Sequence, residues 1–177
     1  MFSQTTDYAI RAAIDIATRP EAEPVLASEL ARSLGIPQHY LSKILQQLVR
    51  ADVLVSTRGR RGGFVLRRPA TQIKLRQVVA PFENLRRCDE CILGQPVCNS
   101  AGACPLHDFW KEVRERYLKE LDTRTLQDMA TFQLKRFKVM DPALYKTLIH
   151  APGHSSLQAA AKAAPARKPK RATRRQA

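Results

Sequence analysis

Two short amphipathic segments near the N-terminus are joined by a tight turn. The first runs from Ser28 to Leu34, and the second from Pro37 to about Ala51. Gly35 is a residue type that often ends a helix, and Pro37 suits the first position of a new one. Helix, turn and helix in this order predict a helix-turn-helix whose second helix has one apolar and one polar face.

The second of these helices has a polar face that is suited to contact DNA. Its apolar positions are Leu41, Ile44, Leu45 and Leu48, and its polar positions are Gln38, His39, Ser42, Lys43 and Gln46. Short polar and cationic side chains on a helix can form hydrogen bonds with base edges and phosphates in the major groove. Ordinary packing between helices is the alternative interpretation of this pattern when it is taken alone.

A basic hairpin is predicted directly after the second helix. Two β-prone runs, residues 53–57 and 64–66, flank the sequence Arg58-Gly59-Arg60-Arg61-Gly62-Gly63. Glycines at such a junction favour a hairpin turn, and the three arginines make its tip basic. A hairpin in this place indicates a winged helix-turn-helix, and the arginines favour double-stranded DNA over a protein as its partner.

The charge of the chain also favours a polyanionic partner. Lys and Arg outnumber Asp and Glu by 30 to 16, which gives a net charge of +14. Seven of the basic residues lie between Ala159 and Ala177, where there is no acidic residue. Residues 151–177 are poor in large apolar side chains, which predicts a disordered basic tail that adds salt-sensitive contacts to DNA phosphates.

Three shorter patterns predict further helices. Residues Asp7 to Ala17 suggest a first helix, and Gln72 to Phe82 a short one. The sequence Thr125-Leu126-Gln127-Asp128 is a variant of the capping box and predicts another helix that extends to about Phe137. In the first helix, the face expected to be buried comprises Ile10, Ala13, Ile14 and Ala17.

A longer amphipathic helix is predicted from Leu106 to Leu121. Its apolar stripe comprises Leu106, Phe109, Trp110, Val113, Tyr117 and Leu121. Such a stripe is buried either against the core of its own chain or against a second copy. Because a helix of this length leaves apolar surface beside a small domain, we expect it to form a homodimer.

All four cysteines lie in one short segment. The spacing is Cys88-x2-Cys91-x6-Cys98-x5-Cys104-x2-His107. Thiolates are soft ligands, and several of them on one loop can surround an iron-sulfur cluster. The alternatives are a zinc site, a redox-active thiol pair at Cys88 and Cys91, and no metal, although these gaps do not form two separate CxxC pairs.

Four segments resemble the Rrf2 (Rrf-two) family of bacterial winged helix-turn-helix transcription regulators. They are Thr6 to Ala12, Ser28 to Pro37, Tyr40 to Leu45 and Arg58 to Phe64, and the resemblance covers about residues 1–132. The family includes an iron-sulfur regulator, a nitric-oxide sensor and an iron regulator. The resemblance implies a dimer that binds a palindromic operator and reports iron, redox or nitric-oxide status.

The resemblance also implies which residues contact DNA. By position these are His39, Ser42 and Arg58, and the residues expected to assist them are Gln38, Lys43, Arg60 and Arg61. The iron-sulfur regulator of the family has an acidic residue where this chain has Ser42. Its operator preference is therefore not expected here.

The ligand set implied by the resemblance is Cys91, Cys98, Cys104 and His107, with one more residue in the first gap than in the iron-sulfur regulator. Two further residues are less certain ligands: Cys88, and Asp7, which matches an aspartate that the nitric-oxide sensor takes from the partner subunit. The implied cofactor is a 2Fe–2S cluster, ahead of a 4Fe–4S cluster, zinc or no metal.

These patterns predict a mainly α protein with a small β-hairpin. The expected domains are a winged helix-turn-helix at 1–82, a cysteine-rich loop at 83–104, a dimerisation helix with further helices at 105–150, and the tail at 151–177. No apolar run reaches the roughly 18 residues of a membrane span, so we expect a cytoplasmic, nucleoid-associated protein. No catalytic motif is present, so we expect no enzyme. The alternatives are a regulator without a cluster and a chromatin-like protein that binds DNA non-specifically.

Overall fold

Helices and one β-hairpin follow each other in the predicted order. The computed structural model describes residues 2–20, 23–59, 62–85, 91, 93–94, 101 and 103–139. The elements are α1 (Gln4–Ala17), α2 (Ala27–Leu34), α3 (Gln38–Arg50), β1 (Leu54–Thr57), β2 (Gly63–Leu66), a 3-10 turn (Ala70–Gln72), α4 (Leu75–Val79), α5 (His107–Thr123) and α6 (Leu126–Val139). The predicted fold class, mainly α with a small hairpin, is confirmed. The basic tail lies outside the described residues.

The helix-turn-helix consists of α2 and α3. Gly35 ends α2 in the left-handed conformation, with φ 65° and ψ 32°, as its sequence position predicts. Pro37 is the residue before α3 rather than its first helical residue. The apolar side of α3 is buried as predicted, at Leu41, Ile44, Leu45 and Leu48. The polar side of α3 therefore faces away from the core.

The buried face of α1 differs from the prediction. The fully buried apolar positions are Tyr8, Ala9, Ala12, Ala13 and Ile16, whereas Ile10, Ile14 and Ala17 are only partly buried. The predicted face does pack on the core, because Ala13 is buried and Ile10, Ile14 and Ala17 are partly buried against it, but the most deeply buried positions lie beside this face. The reason is tertiary: α1 packs against α3, α4 and α6, and its small alanines let these helices approach closely.

The hairpin is held against the start of α2. Strand β1 pairs with β2 in antiparallel register, from Leu54 opposite Leu66 to Thr57 opposite Gly63. On the other side of β2, the Phe64 and Val25 backbones exchange hydrogen bonds of 2.9 and 3.1 Å. A Cβ at Gly63 would lie 2.6 Å from the Val25 carbonyl oxygen, so this close approach requires glycine. The hairpin is thereby fixed to the helix-turn-helix.

The last described helix, α6, returns to the core. Asp128 accepts hydrogen bonds of 2.8 Å from both the backbone N–H and the hydroxyl of Thr125, which forms the predicted cap. The Leu126 backbone N–H donates to the Ile73 carbonyl oxygen at 2.8 Å, and its side chain is buried in the same core as α1 and α3. The core of the winged helix therefore draws on a helix that lies beyond residue 82.

The sequence also bears on the length of a helix after the hairpin and on whether any segment spans a membrane. The helix predicted from Gln72 to Phe82 is confined to α4, which follows the short 3-10 turn. None of the helices within the described ranges is both long enough and apolar enough to cross a membrane.

Candidate DNA-binding face and metal site

The first two turns of α3 present a polar surface. Gln38, His39 and Lys43 are exposed, and Ser42 lies beside them on the same face. Because the opposite side of α3 is buried, this orientation is fixed by the core. The hydroxyl of Ser42 donates a hydrogen bond of 2.8 Å to the Gln38 carbonyl oxygen, one turn earlier in the helix. Its oxygen lone pairs remain available on the exposed side.

The hairpin and the two helices enclose a shallow groove of about 340 Å³. Gln38 of α3 and Arg58 of the hairpin both line it, so the structure brings two of the predicted DNA contacts to one surface. Ser28, in the first turn of α2, also lines the groove and was not predicted as a contact. The position of Ser28 in the sequence could have indicated this contact, because a serine at the start of a helix commonly contacts phosphate. Arg60 and Arg61 lie outside the described residues.

The cysteine segment is described only in part. Cys91 is buried and Cys104 is half-buried, whereas Cys88 and Cys98 lie outside the described residues. The backbone N–H of His107 donates to the Cys104 carbonyl oxygen at 2.9 Å, so these two candidate ligands share the turn that begins α5. Thiol and imidazole groups suit iron-sulfur or zinc chemistry. Among the described residues, no three His, Cys, Asp or Glu side chains come together as a metal site.

Asp7, the other candidate ligand, is in the first turn of α1. Its side chain is 50% exposed and lies 3.8 Å from the Arg11 guanidinium. The distance is at the outer limit of an ion pair and the carboxylate faces solvent, so the pairing is weak. Asp7 therefore remains accessible to a second molecule.

Glu83 anchors the start of the cysteine segment to α1. Its carboxylate accepts hydrogen bonds from the Ser3 backbone N–H at 2.7 Å and from the Thr6 hydroxyl at 2.6 Å. Partial burial raises the pKa of the Glu83 carboxyl, but these hydrogen bonds outweigh burial, so the pKa lies below its ordinary value. This contact could not be predicted from the sequence, because its partners are far apart in the chain.

The apolar stripe of α5 is covered unevenly: Trp110 and Tyr117 are half-buried, and the centres of the Tyr117 and Phe2 rings lie 6.2 Å apart. Leu121, near the C-terminal end, is buried, and Asp122 forms a 2.8 Å ion pair with Arg76 of α4. Towards the N-terminal end, Leu106, Phe109 and Val113 are exposed, with Phe109 at 61%. Part of the stripe that the sequence predicted to be buried is therefore exposed in the described chain, at Leu106, Phe109 and Val113.

A family model matches most of the described chain. The model is Rrf2, an iron-dependent transcriptional regulator, and it matches residues 2–131. The chain belongs to the Rrf2 family. This confirms the resemblance seen in the sequence, and it makes the chain a DNA-binding transcription regulator, as Rrf2 proteins are.

Solved structures of Rrf2-like regulators share the fold. CymR, the global cysteine regulator of B. subtilis, is 24% identical with a TM-score of 0.62, over 75% of this chain and 97% of that one. IscR of T. potens is 23% identical with a TM-score of 0.62, over 82% and 96%. The oxidised form of Staphylococcus aureus CymR is 24% identical with a TM-score of 0.59, over 73% and 95%. The winged helix fold of this Rrf2 protein is thereby confirmed.

Proposed function

We propose that this Rrf2 protein is a homodimeric regulator whose cysteine segment holds an iron-sulfur cluster. It would act in the bacterial cytoplasm, at the nucleoid, and report iron, redox or nitric-oxide status. The observation that carries the proposal is the position of the cysteine segment. Glu83 ties its start to α1, and the turn with Cys104 and His107 begins α5. A change within the segment can therefore act on both helices.

The argument for a homodimer rests on α5. Its 17 residues span about 25 Å at the usual rise per residue. Leu121 is buried and Tyr117 packs on Phe2, whereas Leu106, Phe109 and Val113 are exposed, so the surface around Phe109 is apolar and accessible to water. Burying that surface against the same surface of a second copy is favourable and gives two-fold symmetry. Two DNA-binding faces related by this symmetry match a palindromic operator of double-stranded DNA.

The proposed DNA contacts are of two kinds. The helix residues would contact base edges in the major groove, and the hairpin arginines would contact phosphates or the minor groove. The full set comprises Gln38, His39, Ser42, Lys43, Arg58, Arg60 and Arg61.

Arg58 provides a test of this surface. We expect Arg58→Ala to weaken operator binding roughly 10-fold, because an arginine contact to DNA contributes about 1–3 kcal/mol. The matched control is Arg67→Ala, since Arg67 is similarly exposed but lies 3.3 Å from Asp52 and outside the groove. Fluorescence anisotropy with operator and scrambled DNA at fixed salt measures both. Equal losses in the two variants would contradict the proposed face, and equal affinity of the unmodified protein for both DNAs would favour the chromatin-like alternative.

The proposed cluster ligands are Cys91, Cys98, Cys104 and His107. Cys88 and Asp7 are the candidates for a replacement ligand, and the half-exposed Asp7 could reach a site on the partner subunit. A 2Fe–2S cluster, when bound, supplies a group that oxidants, nitric oxide or iron loss can alter. The protein residues would hold it at the start of α5. The cluster could also be 4Fe–4S.

The cluster is tested by the visible spectrum of the protein purified without oxygen, with iron and sulfide assays. We expect a sulfur-to-iron absorption band that is lost in Cys98→Ala and retained in the matched variant Cys88→Ala. A colourless protein after cluster reconstitution would instead support a regulator without a cluster. That alternative, a thiol switch or a zinc site, is favoured by the structural similarity to CymR, a cysteine regulator that has been solved in an oxidised form.

A further inference from the structure

The first turn of α1 contacts two functional parts of the molecule at once. On one side, Ser3 and Thr6 donate to the Glu83 carboxylate, at the start of the cysteine segment. On the other side, the Thr5 hydroxyl and the Tyr40 hydroxyl are hydrogen-bonded at 2.5 Å. Tyr40 belongs to α3, the recognition helix. A path of direct contacts thus runs from the cysteine segment through α1 to α3.

The contact to Glu83 is specific rather than incidental. Thr6 is fully buried, at 0% exposure, and it is the one buried polar residue within the described ranges. The Thr6 hydroxyl is hydrogen-bonded to the Ser3 hydroxyl at 2.9 Å and donates to Glu83, and because a hydrogen bond to a charged group is among the stronger ones, Thr6 holds the Glu83 carboxylate in place. The Ser3 hydroxyl accepts from the Thr6 backbone N–H at 3.3 Å and caps α1. Glu83 therefore stabilises the turn that also carries Thr5.

The contact to α3 is equally well defined. The rings of Tyr40 and Tyr8 meet edge to face with their centres 6.0 Å apart. The Tyr8 hydroxyl accepts from the Gln4 side chain at 2.8 Å, so this ring is also fixed by the first turn of α1. Tyr40 follows His39 directly in the first turn of α3. Holding the Tyr40 ring therefore orients the proposed DNA contacts beside it.

We propose that Glu83, Thr6, Thr5 and Tyr40 are positioning residues that transmit the state of the cysteine segment to the recognition helix. This inference rests on the sensing function proposed above. A rearrangement of the segment would withdraw the Glu83 carboxylate, which would loosen the cap of α1 and release the Thr5 to Tyr40 hydrogen bond. The first turn of α3 would then lose a restraint and its fit to the operator.

Hydrogen exchange of the full-length protein without cluster tests the path itself. We expect Glu83→Gln and Tyr40→Phe each to raise amide exchange in residues 38–44 about 3- to 10-fold, the effect of losing one net hydrogen bond. Glu120→Gln on α5 is the matched control, because it makes the same change as Glu83→Gln at a carboxylate that is paired with Arg124, and it should leave these residues unchanged. The effect of Glu83→Gln is decisive, because the Glu83 carboxylate is hydrogen-bonded to Ser3 and Thr6 at the start of α1. Faster exchange in Tyr40→Phe alone would overturn the path.

Measurements of operator binding test whether the path of contacts from Glu83 to Tyr40 takes part in sensing. We expect the ratio of the affinities with and without cluster to fall towards one in Glu83→Gln and Tyr40→Phe, while Glu120→Gln keeps the ratio of the unmodified protein. An unchanged ratio in both variants would overturn the inference. If the unmodified protein binds the operator equally well with and without cluster, the proposed sensing function is wrong. The role in sensing that we infer for these residues is then wrong as well. The exchange experiment still decides separately whether the path of contacts exists.

Discussion

Phe109→Asp is expected to convert the dimer into monomers and to weaken operator binding on the order of 100-fold. Phe109 is 61% exposed in the single chain, at the centre of the uncovered stretch of α5. An aspartate there would be buried without a partner in the interface, which is unfavourable. A monomer then binds only one half of a palindromic operator, and a loss of about 2.8 kcal/mol corresponds to the expected 100-fold.

Light scattering coupled to size-exclusion chromatography measures the molar mass, and anisotropy measures operator binding. Lys111→Asp is the matched control, because it introduces the same side chain two residues along α5, away from the apolar stripe. The control should remain a dimer with little change in operator affinity. The proposed interface would be wrong if Phe109→Asp remained dimeric.

Leu126→Ala is expected to lower the free energy of unfolding by about 2–5 kcal/mol. The Leu126 side chain is 0% exposed and belongs to the core that also holds α1 and α3. Truncation would remove apolar contacts and leave a cavity, because the backbone hydrogen bond from Leu126 to Ile73 holds this part of α6 in place. This loss of stability would show that α6 belongs to the core of the winged helix and does not merely extend α5.

Urea denaturation at a fixed protein concentration measures this loss, because the stability of a dimer depends on concentration. Leu134→Ala, on the same helix, is the matched control, since Leu134 is 45% exposed. It should change the free energy of unfolding by less than about 0.5 kcal/mol. Equal losses in the two variants would mean that α6 does not contribute to the core through Leu126.

The features that could be predicted from the sequence are those set by neighbouring residues. Gly35 ends α2 because few other residues adopt its left-handed backbone conformation, and the cap at Thr125 and Asp128 depends on residues three apart. The basic hairpin follows from glycines next to β-prone residues. Each of these signals lies within one turn or one strand, so a single sequence contains it.

The features that could not be predicted depend on distant partners. The buried face of α1 is set by three other helices, and its periodicity alone pointed to Ile10 and Ile14 instead of Ala9 and Ala12. The contact between Ser3 and Glu83 joins residues 80 positions apart. Nothing in the residue types near either one indicates this pairing. All the proposed cluster ligands remain predictions, and two of the candidates, Cys88 and Cys98, lie outside the described residues.

The pairing of Val25 with Phe64 limits how a dimer of this protein can respond to a signal. Because this pairing joins the hairpin to the residues before α2, the hairpin and the helix-turn-helix move as one body. In the proposed dimer, a signal would therefore act on the spacing or the angle between the two halves, in addition to the change proposed at the first turn of α3. One base pair of added spacer shifts the second half-site by about 3.4 Å and turns it by about a tenth of the DNA helix. The two states of this regulator would therefore differ most in their relative affinities for operators that differ only in spacer length.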